Sequence, residues 1–145
     1  MTQGPTPVPL ERRPAIVWVI AIYYTISSVF GAISLYLAWS GQLAATPAAA
    51  AYLQRLGPLD HAVTALLIVC ALAGATALLL LRKAAPVFFT LNAGLSIATT
   101  LWHAATKGWE ATMSGPGLIG VALGWAILIA VCVYCWYLRW KGTLR

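Results

Sequence analysis

Four long apolar runs, separated by short polar segments, restrict the possible folds of this sequence more than any other feature. They cover roughly residues 14–40, 59–81, 84–106 and 118–140. About 20 apolar residues are enough for a helix to cross the hydrocarbon of a bilayer. Because lipid offers no hydrogen-bond partner to the peptide backbone, each spanning run must be helical. The sequence therefore predicts an all-α integral membrane protein, a four-transmembrane-helix antiparallel bundle.

Composition and segment length leave no room for a soluble domain. Apolar residues make up 61% of the chain and charged residues 8%, whereas about 25% of the residues of a typical soluble domain are charged. The segments outside the apolar runs are too short to bury a core. We therefore predict one membrane domain over residues 14–141. It lies between a disordered, Pro-rich cytoplasmic tail at 1–13 and a short cytoplasmic tail at 142–145.

The basic residues predict how the spans are oriented. With four spans, Arg55 and Lys107 fall on one side of the membrane. Basic segments stay on the cytoplasmic side, so we expect a multi-pass protein of the cell inner membrane with both termini in the cytoplasm. This asymmetry explains the net charge of +6, and no basic motif indicates nucleic-acid binding. The other seven basic residues all fall on the opposite, cytoplasmic side: Arg12, Arg13, Arg82, Lys83, Arg139, Lys141 and Arg145.

The longest connection between spans, residues 41–58, is predicted to contain a short extra helix in the first outer loop. Thr46 is a suitable N-cap and Pro47 fits the first helical position. Gly57 and Pro58 end the segment, as expected for a helix stop. Such a helix could be a plain surface connector or a lid over the mouth of the bundle.

A polar stripe runs along the third span. Its residues recur at steps of four, three and four, so they share one helical face: Asn92, Ser96, Thr99 and His103. Polar side chains in a membrane find partners within the protein, so this face should look into the bundle. It is either a hydrogen-bonded packing seam between helices or a path for a ligand or ion.

Glycines on the first and fourth spans are predicted helix-packing positions. Gly120 and Gly124 are four residues apart, the spacing that allows two membrane helices to approach closely. Gly117 continues the same region of the fourth span, and Gly31 lies on a face of small residues in the first span. We expect these faces to contact other helices, while the bulky apolar side chains meet lipid.

A second polar group is expected at the outer mouth of the bundle. Asp60 and His61 begin the second span, and His103 nearly ends the third. Because these spans run antiparallel, the three side chains lie at similar depth. Two imidazoles could bind a transition metal or a haem, and Asp60 or Glu110 could supply an oxygen ligand. The alternative is an ordinary interfacial polar cluster, in which Asp60 stabilises a helix N-terminus. We predict no cofactor.

The remaining reactive residues do not form a recognisable catalytic set. Cys132-x-x-Cys135 lies in the inner half of the fourth span, away from the oxidising side of the membrane, so we interpret both thiols as apolar packing. The middle of each span lacks Asp, Glu, Lys and Arg, which argues against a proton-coupled antiporter. The sequence contains no phosphate-binding loop and no metalloprotease or serine-hydrolase motif. We therefore do not expect an enzyme.

Two functional hypotheses follow from the sequence. The first is an accessory, assembly or interaction subunit in the membrane, whose partner is another membrane protein or a second copy of the chain. The second is a small-molecule, metal, haem or quinone-linked membrane protein that uses the polar pocket at the outer mouth. In both cases the lipid bilayer surrounds the bundle, and nucleic acid is not a partner.

Overall fold

The computed structural model describes residues 14–42, 47–107 and 115–144 and contains only helices in these ranges. The first two helices are α1, Ala15–Trp39, and the short α2, Pro47–Gln54. They are followed by α3, Pro58–Leu79, α4, Ala85–Lys107, and α5, Gly115–Trp140. Within the described ranges, four helices are long and apolar enough to cross a membrane, with mean hydropathies between 1.2 and 2.5. The prediction of an all-α protein with four helices long and apolar enough to span a membrane is thus confirmed for the described residues.

The long helices pack in chain order. α1 contacts α3, α3 contacts α4, and α4 contacts α5. The tight connection between α3 and α4 carries Arg82 and Lys83 at one end of the bundle, which we call the Arg82 end. The opposite end, where α3 begins and α4 finishes, carries α2, and we call it the α2 end. The proposed tails at 1–13 and at residue 145 lie outside the described residues.

Three helices end in a left-handed residue that satisfies their last carbonyl groups. Gly41 follows α1 with φ 73°, and Gly142 follows α5 with φ 72°. After α3 the same position is taken by Leu81, with φ 53°. The Leu81 N–H donates to the carbonyl of Leu78, and the Arg82 N–H donates to that of Ala77. These two bonds form a Schellman motif, although an L-residue with a Cβ rarely adopts this conformation.

The tightly packed core lies towards the Arg82 end. Val17, Leu78 and Phe89 have no exposed surface. The rings of Tyr24 and Phe89 meet edge to face, with centroids 5.0 Å apart. Along α1, the last buried residue towards the α2 end is Ser28. The four helices are therefore closely packed over only part of their length.

One face of α5 is packed at the Arg82 end and uncovered nearer the α2 end. The part of this face nearer the Arg82 end contributes Leu128, Val131 and Cys135 to the core. A Cβ atom added at Gly120 or Gly124, on the same face, would meet no atom within 4 Å. By contrast, a Cβ at Gly31 would lie 3.4 Å from the Ile68 side chain. At Gly120 and Gly124, no atom of the described chain therefore lies against the position of a side chain, and the side-chain surroundings of Gly117 are outside the described residues.

Gly74 on α3 is required by its close approach to α4, and its replacement by leucine should destabilise the bundle. A Cβ there would lie 3.3 Å from two atoms of the fully buried Phe89 ring. Such overpacking should lower the free energy of unfolding by about 1.5 kcal/mol. Reversible unfolding in mixed micelles, followed by circular dichroism, measures the change.

The matched control for this substitution is Gly94→Leu on α4. A Cβ at Gly94 would meet no atom within 4 Å, and leucine is the better helix former. We expect Gly94→Leu to unfold at the same detergent composition as the parent protein or at a higher one. Equal losses for the two variants would contradict a specific contact at Gly74.

Candidate functional site

Four side chains from three helices form one hydrogen-bonded group at the α2 end. We call it the mouth cluster: Tyr52 of α2, Asp60 of α3, and His103 and Lys107 of α4. The Tyr52 hydroxyl lies 2.9 Å from His103 Nδ1, and His103 Nε2 lies 3.0 Å from Asp60 Oδ1. Lys107 Nζ donates to Asp60 Oδ2. The side chains of Asp60, His103 and Lys107 are between 11% and 16% exposed, so water screens their interactions only in part.

Asp60 is placed by the start of α3. Gly57 is the N-cap and Pro58 occupies the first turn. Asp60 Oδ2 accepts a 2.6 Å hydrogen bond from the backbone N–H of Gly57. A carboxylate in this turn satisfies a free amide and interacts favourably with the positive end of the helix dipole. The interpretation of Asp60 as a helix-stabilising charge therefore agrees with its observed contacts.

The contacts of His103 determine its tautomer. A carboxylate can only accept hydrogen bonds, so His103 Nε2 must carry the hydrogen that faces Asp60. In the neutral ring, Nδ1 is then the acceptor for the Tyr52 hydroxyl. Burial, followed by the nearby Asp60 carboxylate, raises the pKa of the Tyr52 phenol. Both effects favour the neutral phenol, which is the form that donates to His103.

α2 is fixed to the end of α4 by two contacts. Besides the Tyr52–His103 bond, Arg55 Nη1 donates to the backbone carbonyl of Lys107 at 3.2 Å. A cation at a helix C-terminus satisfies a free carbonyl and complements the negative end of the helix dipole. The short helix predicted between the first two spans is therefore held against the mouth of the bundle.

His61 is not brought together with His103. Its side chain lines a cleft with Leu35, Trp39 and Pro58, on the α1 side of α3. Among the described residues, Asp60, His61 and His103 form no group of three suited to holding a metal ion. Glu110, the other carboxylate considered as a ligand, lies outside the described residues. The pair that does meet is Asp60 and His103.

The polar stripe of α4 is buried to different degrees along its length. Asn92 and His103 are buried, while Ser96 and Thr99 are half-buried. Sequence reasoning missed Lys107 as a partner of Asp60 and Tyr52 as a partner of His103. Lys107 follows His103 by one helical turn, so its position on the same face could have been found from spacing. No local pattern could have placed Tyr52 beside His103, because these residues are 51 positions apart.

A second polar site lies between α1, α4 and α5, closer to the middle of the bundle. This α1–α5 cleft has a volume of about 320 Å³. Tyr24 and Leu128 belong to both the core and the cleft lining, so they mark its floor. The rest of the lining is formed by Tyr23, Ser27, Ser96, Thr100, Val121, Gly124 and Trp125.

The three cysteines are free thiols. Cys70 and Cys135 are buried, and Cys132 is half-buried. Cys135 belongs to the core cluster, and Cys132 packs against that cluster. Their observed environment is therefore that of small packing residues within the helices.

Comparison with known proteins gives no relative for this chain. No family model, curated protein or solved structure shows significant similarity to it.

Proposed function

We propose that this is a multi-pass protein of the cell inner membrane with both termini in the cytoplasm. The distribution of charge supports this orientation. Arg82, Lys83 and Arg139 belong to the Arg82 end, whereas Lys107 at the α2 end is neutralised by Asp60. Basic ends remain on the cytoplasmic side, which would put α2 and the mouth cluster on the outer face.

Within the membrane, we propose that the protein acts as an accessory, assembly or interaction subunit. The observation that carries this proposal is the uncovered glycine face of α5. Gly120 and Gly124 continue the face that Leu128 and Val131 bury, yet a Cβ added at either glycine would meet no atom of the described chain within 4 Å. Small residues allow the close backbone contact that drives helix association in lipid. A transmembrane helix of a partner protein, or of a second copy, would fit this face.

Site-specific photocrosslinking in native membranes tests the proposed contact. Ile119 and Leu123 flank the glycine face and are 63% and 58% exposed. A photoreactive residue at either position should yield a discrete protein adduct, and Gly120→Phe should abolish it by blocking close approach. Val133, which is 64% exposed on another part of α5, is the control position.

The crosslinking result separates a partner from surrounding lipid. A second copy carrying a different tag identifies a homo-oligomer, and mass spectrometry of the adduct identifies any other partner. Lipid adducts alone at positions 119 and 123, or the same protein adducts from position 133, would contradict the proposal.

The alternative function, small-molecule, metal, haem or quinone chemistry at the mouth, has weaker support from the geometry. Both nitrogens of His103 and both oxygens of Asp60 already have partners within the chain. A ligand would have to displace these bonds. The mouth cluster is better suited to holding α2 on α4 than to binding a ligand directly.

A further inference from the structure

We propose that the α1–α5 cleft is a binding site for an uncharged, membrane-dissolved amphiphile whose compact head carries carbonyl or hydroxyl oxygens. This inference goes beyond an interaction subunit and does not depend on the glycine face having a protein partner. It is independent of the mouth cluster too, since none of the cluster's four residues lines the cleft.

The cleft exists because α5 separates from α1 on the α2 side of the core. Burial on α1 stops at Ser28, and Leu128 is the first buried residue of α5 among those whose exposure is described. Between these levels and the α2 end, α5 presents Ile119, Leu123 and Ile127 with exposures between 43% and 63%. The lining on α5 extends from Val121 to Leu128, a rise of about 10 Å at 1.5 Å per residue. The gap between α1 and α5 is therefore long enough to admit a molecule from the bilayer.

Tyr24 at the floor of the cleft is the second observation that points to an occupant. Its side chain is 93% buried, since only 7% of its surface is exposed. The ring is fixed by Phe89 at 5.0 Å and by Tyr23 at 5.3 Å. Its hydroxyl has no hydrogen-bond partner among the described residues. Among the described residues, the buried side-chain atom left without a partner is the Ser28 hydroxyl oxygen, so the Tyr24 hydroxyl is accessible from the cleft and not closed off. Hydrocarbon supplies it with no hydrogen-bond partner, whereas an oxygen-bearing molecule in the cleft would.

The lining defines the chemical class of the occupant. Ser27, Ser96 and Thr100 add hydroxyl groups, and Trp125 adds an indole. None of the described lining residues carries a charge, so a charged head would lose its hydration without gaining a counter-ion. The Ser27 and Ser96 hydroxyls can donate to or accept from a neutral head, whereas Thr100 Oγ1 already donates to the Ser96 carbonyl and can only accept. A volume of about 320 Å³ suits a compact head, while an apolar tail leaves between α1 and α5.

Filling the cleft from α5 gives the sharpest test. A Cβ at Gly124 would meet no atom within 4 Å, and Gly124 lines the cleft. Gly124→Phe should therefore occupy the space without a backbone clash. Gly120 has equally free surroundings but does not line the cleft, so Gly120→Phe is the matched control. It removes the proposed partner face and leaves the cleft open, which separates failure of this inference from failure of the proposed function.

The experiment measures binding to the full chain in lipid nanodiscs by native mass spectrometry. The probes are a benzoquinone with a decyl tail, dioctanoylglycerol, and decyl phosphate as the anionic comparison. We expect at least one neutral probe to bind, and Gly124→Phe to weaken it by tenfold or more. Gly120→Phe should bind as the parent does. The neutral probe that is retained distinguishes a ring head from a glycerol head.

Tyr24→Phe provides a second variant in case Gly124→Phe does not fold. Loss of one hydrogen bond should weaken binding about fivefold, while Tyr36→Phe, at a tyrosine 66% exposed, should leave it unchanged. The proposal is overturned if neither neutral probe binds or if decyl phosphate binds as tightly as they do. Equal effects of the two glycine variants, or of the two tyrosine variants, also overturn it.

Discussion

Replacement of Phe89 by alanine should destabilise the bundle by about 3 kcal/mol. The Phe89 side chain has no exposed surface and contacts the Tyr24 ring edge to face at 5.0 Å. It also fills the space beside Gly74 on α3. In lipid the loss comes mainly from the cavity and the missing packing contacts, because the surrounding hydrocarbon is as apolar as the core. Phe89→Ala should therefore unfold at a clearly lower proportion of denaturing detergent.

The control for Phe89→Ala is Phe30→Ala on α1. Phe30 is 66% exposed, so its removal leaves no enclosed cavity and should change the unfolding midpoint little. Both variants remove the same number of atoms, and the comparison therefore isolates the effect of burial. If Phe30→Ala costs as much as Phe89→Ala, the core is not centred where α1, α3 and α4 meet.

Asp60→Asn should cost about 2 kcal/mol, less than the loss on breaking a fully buried ion pair, because the Asp60 and Lys107 side chains keep 12% and 16% of their surface exposed. Asparagine has nearly the same shape, so the change removes charge with little effect on packing. Lys107, with a side chain only 16% exposed, would then lack its counter-charge. The amide is also a weaker acceptor for the N–H groups of Gly57 and His103 than the carboxylate.

A double-mutant cycle separates the ion pair from the other contacts of Asp60. If the loss arises mainly from the uncompensated ammonium, adding Lys107→Met to Asp60→Asn should restore part of the stability. His61→Asn is the neighbouring control, because His61 lies in a different cleft with Leu35 and Trp39. Thermal unfolding in detergent measures five proteins: the parent, the two single variants of the cycle, the double variant and His61→Asn. Additive losses, or an equal loss for His61→Asn, would be inconsistent with a coupled mouth cluster.

The depth of the candidate site in the membrane could be predicted from the sequence, but the full set of its residues could not. Two antiparallel spans place Asp60 and His103 at the same level, and the structure joins them at 3.0 Å. The same reasoning gave His61 that depth, but depth does not specify direction around a helix. Successive residues differ by about 100°, so Asp60 faces α4 while His61 lies beside Leu35 of α1. Tyr52 joined the cluster only because α2 folds back onto α4.

The sequence by itself determined the four helical spans and their approximate ends. Hydrocarbon requires internally bonded backbone over about 20 residues, and this constraint acts on each segment separately. Gly41 and Gly142 likewise end their helices for a local reason, since glycine readily adopts the left-handed conformation. Local rules are sufficient wherever the solvent or the backbone alone decides the conformation.

Tertiary structure decided the features that depend on how helices meet. Leu81 has a positive φ of 53°, which is unusual for leucine, and only 5% of its surface is exposed. The packing of its side chain compensates for the backbone strain that glycine would avoid. The separation of α5 from α1 is also a tertiary property. The spacing of Gly120 and Gly124 predicts close packing, but α5 joins the core at Leu128 and Val131, and a Cβ at either glycine would meet no atom within 4 Å. The uncovered glycine face and the polar cleft both result from the separation of α5 from α1.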